Sequence, residues 1–381
     1  MMSLQMPPEL TDHVIDFLWD SPADLQACSF VCRQWLPSTR HHLFQSITIR
    51  PDARFLTLLR SPWNVVANHT RTLDFRLWPA TETTPHTSHI LSHLQCLLRL
   101  RTIIIGSFPP SPKTFLAISW VTKVSLQHTK FASNTEFALF LSKFTGLREL
   151  ELAWVTWEDT LSDDHDHLWP YFPLGLDALS VQGLQQNPDV LRWLSCAEYA
   201  PLARGISFYI PHNADNTCLF ILSKFLLRHE GHLRSLHLDL YPSPYIQRIL
   251  MLLELNVLTS LRRLRLGHGV YFHPQASDTA ATPSTCRIFP AVLELAPLLG
   301  SRNQLEELIF EVDVSSGSWT SSSVSSFNKF LGDPILGRIP MVRFLVIRGN
   351  HSGDVAAGHR RKFEHFMRER GPRFYYHLTQ T

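Results

Sequence analysis

The chain has 381 residues, of which 44% are apolar and 18% charged, and its formal net charge is +2 at pH 7 with histidine neutral. This composition supplies enough apolar side chains for a sizeable core and excludes a globally disordered chain. The near balance of charge gives no electrostatic reason to expect binding to nucleic acid or to an anionic membrane. The six cysteines indicate reduced thiols rather than a disulfide framework, because they are far apart or lie within apolar helical patterns.

No stretch is long and apolar enough to predict a membrane span, and the first residues lack the charged-then-apolar layout of a signal peptide. We therefore expect an intracellular protein, in the cytosol, the nucleus or both.

Three short helices are predicted in the first 45 residues. Apolar residues recur at helical spacing from Leu10 to Leu18, and Ser21-Pro22 then supplies an N-cap and a first helical position. A second apolar stripe runs from Leu25 to Trp35 and is predicted to end at Pro37, with a third helix to about Phe44. So short a unit cannot bury a good core alone, so it is expected to pack against the rest of the chain or a partner.

This opening resembles the F-box, a family motif with a Leu-Pro-x-Glu-Leu entry and a closing Val-Cys-Arg-x-Trp. The chain has Met6-Pro7-Pro8-Glu9-Leu10 at the entry and Val31-Cys32-Arg33-Gln34-Trp35 at the close. Residues 40–47 resemble the continuation found in F-box proteins of mushroom-forming fungi. Met6 and Thr11 depart mildly from the motif, which covers about the first 50 residues.

The resemblance implies docking on the Skp adaptor of a cullin–RING ubiquitin ligase through apolar residues of these helices. The residues carried over are Pro7, Leu10, Val14, Ile15, Leu18, Leu25, Val31 and Trp35. The alternative is that several of them only hold the three helices together.

A different pattern repeats after residue 70: two apolar residues three apart, then a third two positions later. The middle residues of the ten copies are Leu73, Ile103, Val124, Leu150, Leu179, Ile206, Leu236, Leu264, Leu308 and Leu345. Most successive spacings lie at or slightly beyond the 20–29 residues of leucine-rich repeats, and helical stretches fall between them at 136–144, 190–197, 219–229, 246–255 and 292–299. The Asn or Cys that regular repeats place three positions after the pattern occurs only as Asn350, so we expect an irregular array.

The sequence therefore predicts an α/β fold: a three-helix F-box module at 1–50, then an irregular leucine-rich-repeat-like α/β solenoid with a parallel sheet at 51–381. A helix at about 356–370 is predicted to cap the array, because its basic residues accompany one apolar face.

Strand alternation predicts which residues face outward and could bind a target protein. They are Glu149, Glu151, Tyr209, His237, Asp239, Arg263, Arg265, Glu307 and Glu311. The alternative is a solvated face with ordinary cross-strand pairs, such as Arg263 beside Glu307.

The other candidate sites are better explained as ordinary structural features than as ligand-binding sites. The acidic and histidine run 163–167 cannot direct all its side chains at one ion and is read as a loop, and His89 and His93 lack a third ligand. Cys28 and Cys32 are read as core, and the serine-rich stretch 315–326 as a flexible loop. No cofactor or metal is expected, and no catalytic motif is present.

The favoured function is a substrate-receptor adaptor of a ubiquitin ligase, with the Skp adaptor and an unknown target protein as partners and no enzyme activity of its own. The alternative is a protein-binding scaffold whose helical unit meets another partner or packs on the repeats. An enzyme with a hidden pocket is the least favoured.

Overall fold

The computed structural model describes residues 7–49, 65–76, 94–107, 116–157, 175–183, 202–210, 216–240, 250–272, 286–288, 304–313, 336–347 and 374–379, with a few single residues between them. The chain divides into two units, Met1–Leu174 and Gly175–Thr381. Each unit combines helices with a mainly parallel β-sheet, so the predicted α/β class is confirmed.

The first unit begins with three helices: α1 (Pro8–Asp16), α2 (Pro22–Cys28) and α3 (Leu36–Gln45). Each has a proline in its first turn, where the missing N–H costs nothing because it would have no intrahelical partner. Two expectations were wrong: α2 stops at Cys28 instead of reaching Trp35, and Pro37 lies in the first turn of α3 instead of ending α2.

The helices lead into five parallel strands of the first unit. They are β1 (Ser46–Thr48), β2 (Thr72–Phe75), β3 (Thr102–Gly106), β4 (Lys123–Gln127) and β6 (Glu149–Ala153), paired in that order. The helix α4 (Val65–His69) precedes β2, a 3₁₀ turn (Leu94–Cys96) precedes β3, and α5 (Asn134–Leu141) precedes β6. Two short strands, β5 (Lys130–Phe131) and β7 (Thr156–Trp157), pair with each other in a second parallel sheet.

Strands β3, β4 and β6 end in the same way. The residue after each strand has a left-handed backbone: Ser107 (φ 59°), His128 (φ 52°) and Trp154 (φ 54°). The amide N–H of Ser107 donates to the carbonyl of Gln127 (3.0 Å), and that of His128 to the carbonyl of Ala153 (2.8 Å). The rings of His128 and Trp154 stack with centroids 4.5 Å apart. Backbone bonds and ring stacking thus connect neighbouring turns that lack the asparagine of regular repeats.

The second unit contains β8 (Gly175–Gln182), β9 (Leu202–Ile210), β10 (Ser235–Leu240), β11 (Arg263–Phe272), β13 (Glu307–Asp313), β14 (Met341–Ile347) and β15 (Phe374–Thr379), again parallel neighbours in chain order. The antiparallel β12 (Cys286–Ile288) pairs with the end of β11. The helix α6 (Asn216–Leu227) lies between β9 and β10, and 3₁₀ turns (Leu255–Val257, Leu336–Arg338) precede β11 and β14.

The repeated apolar pattern sets the strand register. In the first unit Leu73, Ile103, Val124 and Leu150 are successive register partners, and all are buried. In the second unit the register row is Leu179, Ile206, Leu236, Leu264 and Leu308. These predicted middle positions are confirmed.

The tenth middle position was wrong. Leu308 pairs with Val342, and Leu345 instead lies opposite Glu311 and is half-buried. Val342, Phe344, Leu345 and Ile347 are all apolar, so two registers fit the pattern equally well. The completely buried Val342 and Phe344 show which one the strand adopts.

Two of the five predicted interstrand helices are confirmed with shifted ends, 136–144 as α5 and 219–229 as α6. Of the helix predicted at 246–255, residues 250–255 are described: 250–252 are helical, and a turn then leads into the 3₁₀ turn Leu255–Val257. The helices predicted at 190–197 and 292–299 and the cap at 356–370 lie largely outside the described residues, as do the stretches 163–167 and 315–326, His89 and His93. Among the described residues, no helix combines the length and apolar character needed to span a bilayer.

Candidate functional site

Helix α1 and the two residues that follow it carry two stripes at helical spacing, of which the outer one is entirely apolar. The inner stripe, Thr11, Ile15 and Leu18, faces the unit: Thr11 and Ile15 are buried and Leu18 is half-buried. The outer stripe, Leu10, Val14 and Phe17, has exposed fractions of 55%, 43% and 72%. A three-residue apolar stripe left in solvent on an ordered helix is typical of a surface that binds a partner.

The same three-helix segment exposes further large apolar side chains outside its helices. They are Trp19, Phe30 and Val31, and Phe30 is the most exposed at 81%. Aromatic side chains of this kind contribute much of the affinity at protein interfaces.

The structure divides the residues that the F-box resemblance assigned to adaptor binding. Pro7, Leu10, Val14 and Val31 are exposed, and Leu18 and Trp35 are half-buried. Ile15 and Leu25 are buried, at 0% and 1% exposed, so they hold the helices together and do not form part of the surface. For these two the expected contact is corrected, because the residues already pack inside the unit.

Two polar contacts fix α1 against α3 and so set the direction of the outer stripe. Ser38 Oγ donates to Asp12 Oδ1, and His42 Nε2 lies 2.7 Å from Asp16 Oδ1. Both carboxylates are on exposed turns of α1. The outer stripe therefore belongs to a helix that is held in position without any partner.

His41 of α3 and His69 of α4 meet edge to face, with ring centroids 5.7 Å apart. Burial lowers the pKa of both imidazoles, and nearby positive charges lower it further: His42, Arg71 and Arg99 for His41, and Arg99 and Arg40 for His69. A lowered pKa favours the neutral ring in the folded state, so each imidazole contributes stability that is present above the unfolded-state pKa of about 6.5 and is lost as pH falls through the folded-state pKa.

The outward side of the second unit carries an ion-pair network across β10, β11, β13 and β14. Arg263 Nε donates to Glu307 Oε2, and Arg343 Nε lies 2.8 Å from Glu307 Oε1. Arg265 Nε donates to Glu311 Oε1 at 2.6 Å. The expected cross-strand pair of Arg263 and Glu307 is thus confirmed, since the two are register partners.

His237 extends this network to the neighbouring strands. Its Nδ1 lies 3.1 Å from Ser207 Oγ on β9, and its Nε2 is 3.6 Å from Glu311 Oε1. Burial alone would raise the pKa of Glu311, but His237 and the charge of Arg265 outweigh it and hold that pKa below its usual range. Glu311 is therefore an ionised carboxylate well below neutral pH.

Glu307 and Glu311 were predicted to offer their carboxylates to a target, but both residues are 6% exposed. The long arginine side chains of neighbouring strands lie over them. Strand alternation correctly predicted which side of the sheet carries these two residues. Their burial, however, results from the arginine side chains of the neighbouring strands. Within this ion-pair network, the groups most exposed to a target are the arginines.

Tyr209 and Asp239 lie further along the same side, as register partners on β9 and β10. Asp239 lies opposite Gly267 of β11, and a Cβ on Gly267 would be 2.9 Å from the Asp239 Cα and 2.6 Å from its Oδ1. No larger residue fits there without moving β10, so Gly267 permits the close approach of the two strands.

In the first unit the predicted Glu149 and Glu151 lie beside Lys123, whose Nζ is 3.7 Å and 3.8 Å from their respective carboxylates. All three side chains are substantially open to solvent, so this is an ordinary surface cluster whose pairing contributes little stability. The cluster has an excess of negative charge, unlike the arginine-rich side of the second unit.

Sequence reasoning missed Phe17, Trp19, Phe30 and Arg343. Phe17 could have been found, because Leu10, Val14 and Phe17 follow the i, i+4, i+7 spacing of a second stripe. Arg343 was hidden by the incorrect register of β14.

Within the described part of the chain, no group of histidine, cysteine or acidic side chains is arranged to hold a metal ion. No protein-family model matches this chain, and no curated protein matches it significantly.

Proposed function

We propose that this protein is a substrate-receptor subunit of an SCF-type cullin–RING ubiquitin ligase. Residues 1–50 form an F-box-like module that docks on the Skp adaptor. Residues 51–381 form an irregular leucine-rich-repeat-like solenoid that binds a target protein. The chain performs no covalent chemistry and acts in the cytosol or nucleus by holding a target lysine near a ubiquitin-charged enzyme.

The observation that carries this proposal is the outer stripe of α1. Leu10 and Val14 are among the residues that the F-box resemblance assigns to the adaptor contact, and both are exposed on an ordered helix. Phe17 extends the same stripe by one turn. Leaving three apolar side chains in water is unfavourable by roughly 25 cal/mol per Å², which docking on an apolar adaptor surface would recover.

The test is a pull-down of the full chain with purified Skp adaptor, followed by addition of cullin. Wild-type protein should form a one-to-one complex that recruits cullin. Leu10→Asp combined with Val14→Asp should abolish capture, because two charges would be buried without partners. The matched control is Gln26→Asp with Gln34→Asp, which adds the same charges at exposed polar positions of the same segment.

Circular dichroism should show that both double variants keep the wild-type helix content. Full adaptor binding by the folded Leu10→Asp/Val14→Asp protein would refute the docking site. If wild-type protein, although folded, does not bind the adaptor, the scaffold alternative is favoured instead.

A further inference from the structure

The ion-pair network of the second unit presents three arginines anchored by two carboxylates. Arg263 and Arg343 both contact Glu307, one through each carboxylate oxygen, and Arg265 contacts Glu311. Arg263 and Arg343 make these contacts through Nε, so their terminal Nη groups carry further N–H donors. Each guanidinium is therefore oriented before any ligand arrives.

On this surface the arginine side chains are exposed to solvent, whereas the carboxylates beneath them are covered. The side chains of Arg263, Arg265 and Arg343 are 59%, 39% and 46% exposed, whereas those of Glu307 and Glu311 are 8% and 7% exposed. A partner approaching this side thus contacts three positive groups whose counter-charges are covered. Because the arginines are already ordered, little side-chain entropy remains to be lost on binding.

The strand register sets the spacing of the three arginines. Arg263 and Arg265 are two residues apart on β11, which corresponds to roughly 6.8 Å along a strand. Arg265 and Arg343 are in one register row with Ile309 of β13 between them, which corresponds to about 9.6 Å across two strand spacings. Arg263 and Arg343 share the Glu307 carboxylate and so lie close together, whereas Arg265 is held separately by Glu311.

The spacing along β11 matches part of an extended peptide. Alternate side chains of an extended segment lie on one side and repeat about every 6.8 Å, so two successive carboxylates match the separation of Arg263 and Arg265, with Arg343 beside Arg263. Asp239, half-buried on the neighbouring strand, adds a negative group toward the carboxyl ends of the strands and limits the basic surface on that side.

We propose that the outward side of β11, β13 and β14 binds an extended acidic segment of a target protein, with two alternate Asp or Glu side chains, one paired to Arg265 and the other to the neighbouring Arg263 and Arg343. This inference deepens the proposed function, since it names the chemistry of the target that the repeat array would recognise. The buried Glu307 and Glu311 orient the arginines and do not touch the ligand.

The experiment measures direct binding of fluorescein-labelled eight-residue peptides to the full chain by fluorescence anisotropy. One peptide has Glu at alternate positions, a second has Gln at those positions, and a third has Gln there and one phosphoserine. The Glu peptide should bind at least about tenfold more tightly than the Gln peptide because three charge-assisted pairs form. Equal binding of the Glu and Gln peptides, or tighter binding of the phosphoserine peptide than of the Glu peptide, would overturn the proposal.

Variants locate the site. Removing one arginine alone would leave the buried Glu307 less compensated and could unfold the protein. Arg263→Gln is therefore combined with Glu307→Gln, which also removes the anchor of Arg343. The control is Arg262→Gln with Glu306→Gln, an exposed pair with a 3.0 Å contact immediately before the same two strands. The first variant should bind the Glu peptide at least about fivefold more weakly, and the control within about twofold of wild type.

Unchanged binding by the folded Arg263→Gln/Glu307→Gln protein would overturn the assignment of the site. Arg265→Lys supplies a second variant that keeps the charge but loses the planar fork, and it should also weaken binding. The peptide assay contains no Skp adaptor. A failure to bind the Glu peptide therefore does not bear on adaptor docking, and a failed adaptor pull-down does not bear on peptide binding.

Discussion

Single residues at the strand ends of the first unit adopt a backbone conformation that L-amino acids disfavour. Ser107, His128 and Trp154 all have φ between 52° and 59°, and each follows the last residue of a strand. The left-handed region costs roughly 1–2 kcal/mol for a residue with a Cβ. Stacking between the rings of His128 and Trp154 offsets part of that cost, whereas the side chain of the exposed Ser107 cannot stack.

Ser107→Gly is therefore expected to stabilise the protein. Glycine removes the Cβ strain, although its greater freedom in the unfolded chain opposes part of the gain, so the net increase in the free energy of unfolding should be about 0.5–1 kcal/mol. The measurement is the urea unfolding midpoint at constant m-value.

The matched control for Ser107→Gly is Gln127→Gly, at the last residue of the neighbouring strand β4. Its backbone is not left-handed, so glycine should lower the free energy of unfolding by about 0.5–1 kcal/mol. Destabilisation by both substitutions would show that backbone strain at Ser107 is not relieved.

The carboxyl group of Glu311 should give folding a specific dependence on acid. Its folded-state pKa lies below the usual range, so it contributes stability that is present above the unfolded-state value of about 4.3 and is lost as pH falls through the folded-state pKa. Glu311→Gln removes the ionisable group while keeping a hydrogen-bond acceptor for Arg265.

The measurement for Glu311 compares wild-type protein and Glu311→Gln in urea unfolding between pH 7 and pH 3. The variant should be less stable at pH 7, and the difference should shrink below about pH 4.5 as the wild-type carboxylate takes up its proton. A stability difference that stays constant across this range would contradict the ionised, arginine-paired state of Glu311.

At the scale of elements, α5 shows how a short helix is fixed by its first residues. The N-cap Ser133 accepts a hydrogen bond from the Glu136 amide at 3.1 Å, and Glu136 Oε2 accepts one from the Ala132 amide at 2.8 Å. This reciprocal arrangement closely resembles a capping box, in which the first helical N–H groups find side-chain partners. Phe137 and Phe140 then direct the buried side of α5 into the core.

Ser133→Ala should destabilise the first unit by about 1 kcal/mol, because the amide N–H of Glu136 loses the Ser133 hydroxyl that accepts its hydrogen bond. Ser133→Asp restores an acceptor and should recover most of the stability. Thermal unfolding followed by circular dichroism measures both, with Ser142→Ala after the end of α5 as the control. Equal stability of the Ala and Asp variants would contradict a capping role for Ser133.

At the scale of the molecule, the sequence predicted strand order and register because each strand needs buried apolar residues at alternate positions. Leu236, Leu264 and Leu308 fall in one row for this reason. The prediction was wrong where the constraint was weak: β14 has apolar residues in two possible registers. The start of α5 was missed, although Ser133 and Glu136 carry the capping-box spacing in the sequence itself.

The sequence predicted where the candidate surfaces lie, but not which of their side chains are exposed to solvent. Residue spacing separates Leu10 and Val14 from Ile15 only after the helix is placed against α3, because all three are apolar. Similarly, alternation puts Glu307 and Arg263 on one side, but which of them meets solvent depends on side-chain length and on Arg343 from the next strand. Such differences arise from packing, which one-dimensional patterns do not encode.

The two proposed surfaces differ in the force that would drive binding, and ionic strength separates them. The outer stripe of α1 is apolar, whereas the arginines of β11 and β14 act through charge, in a molecule whose net charge is only +2. Raising NaCl from 50 to 500 mM shortens the screening length to roughly 4 Å. The Kd for the Glu peptide should then rise at least about tenfold, and that for the Skp adaptor should change by less than about threefold, since apolar burial is little affected by screening.

Both affinities are measured on the same full chain, by anisotropy for the peptide and by calorimetry for the adaptor. The Arg262→Gln/Glu306→Gln protein is the control, because it removes one exposed ion pair outside both surfaces and should show the same two salt responses as wild type. Peptide capture that does not depend on salt would contradict recognition by the arginines. An adaptor affinity that falls in parallel with that of the peptide would show that charge, and not the outer stripe of α1, governs docking.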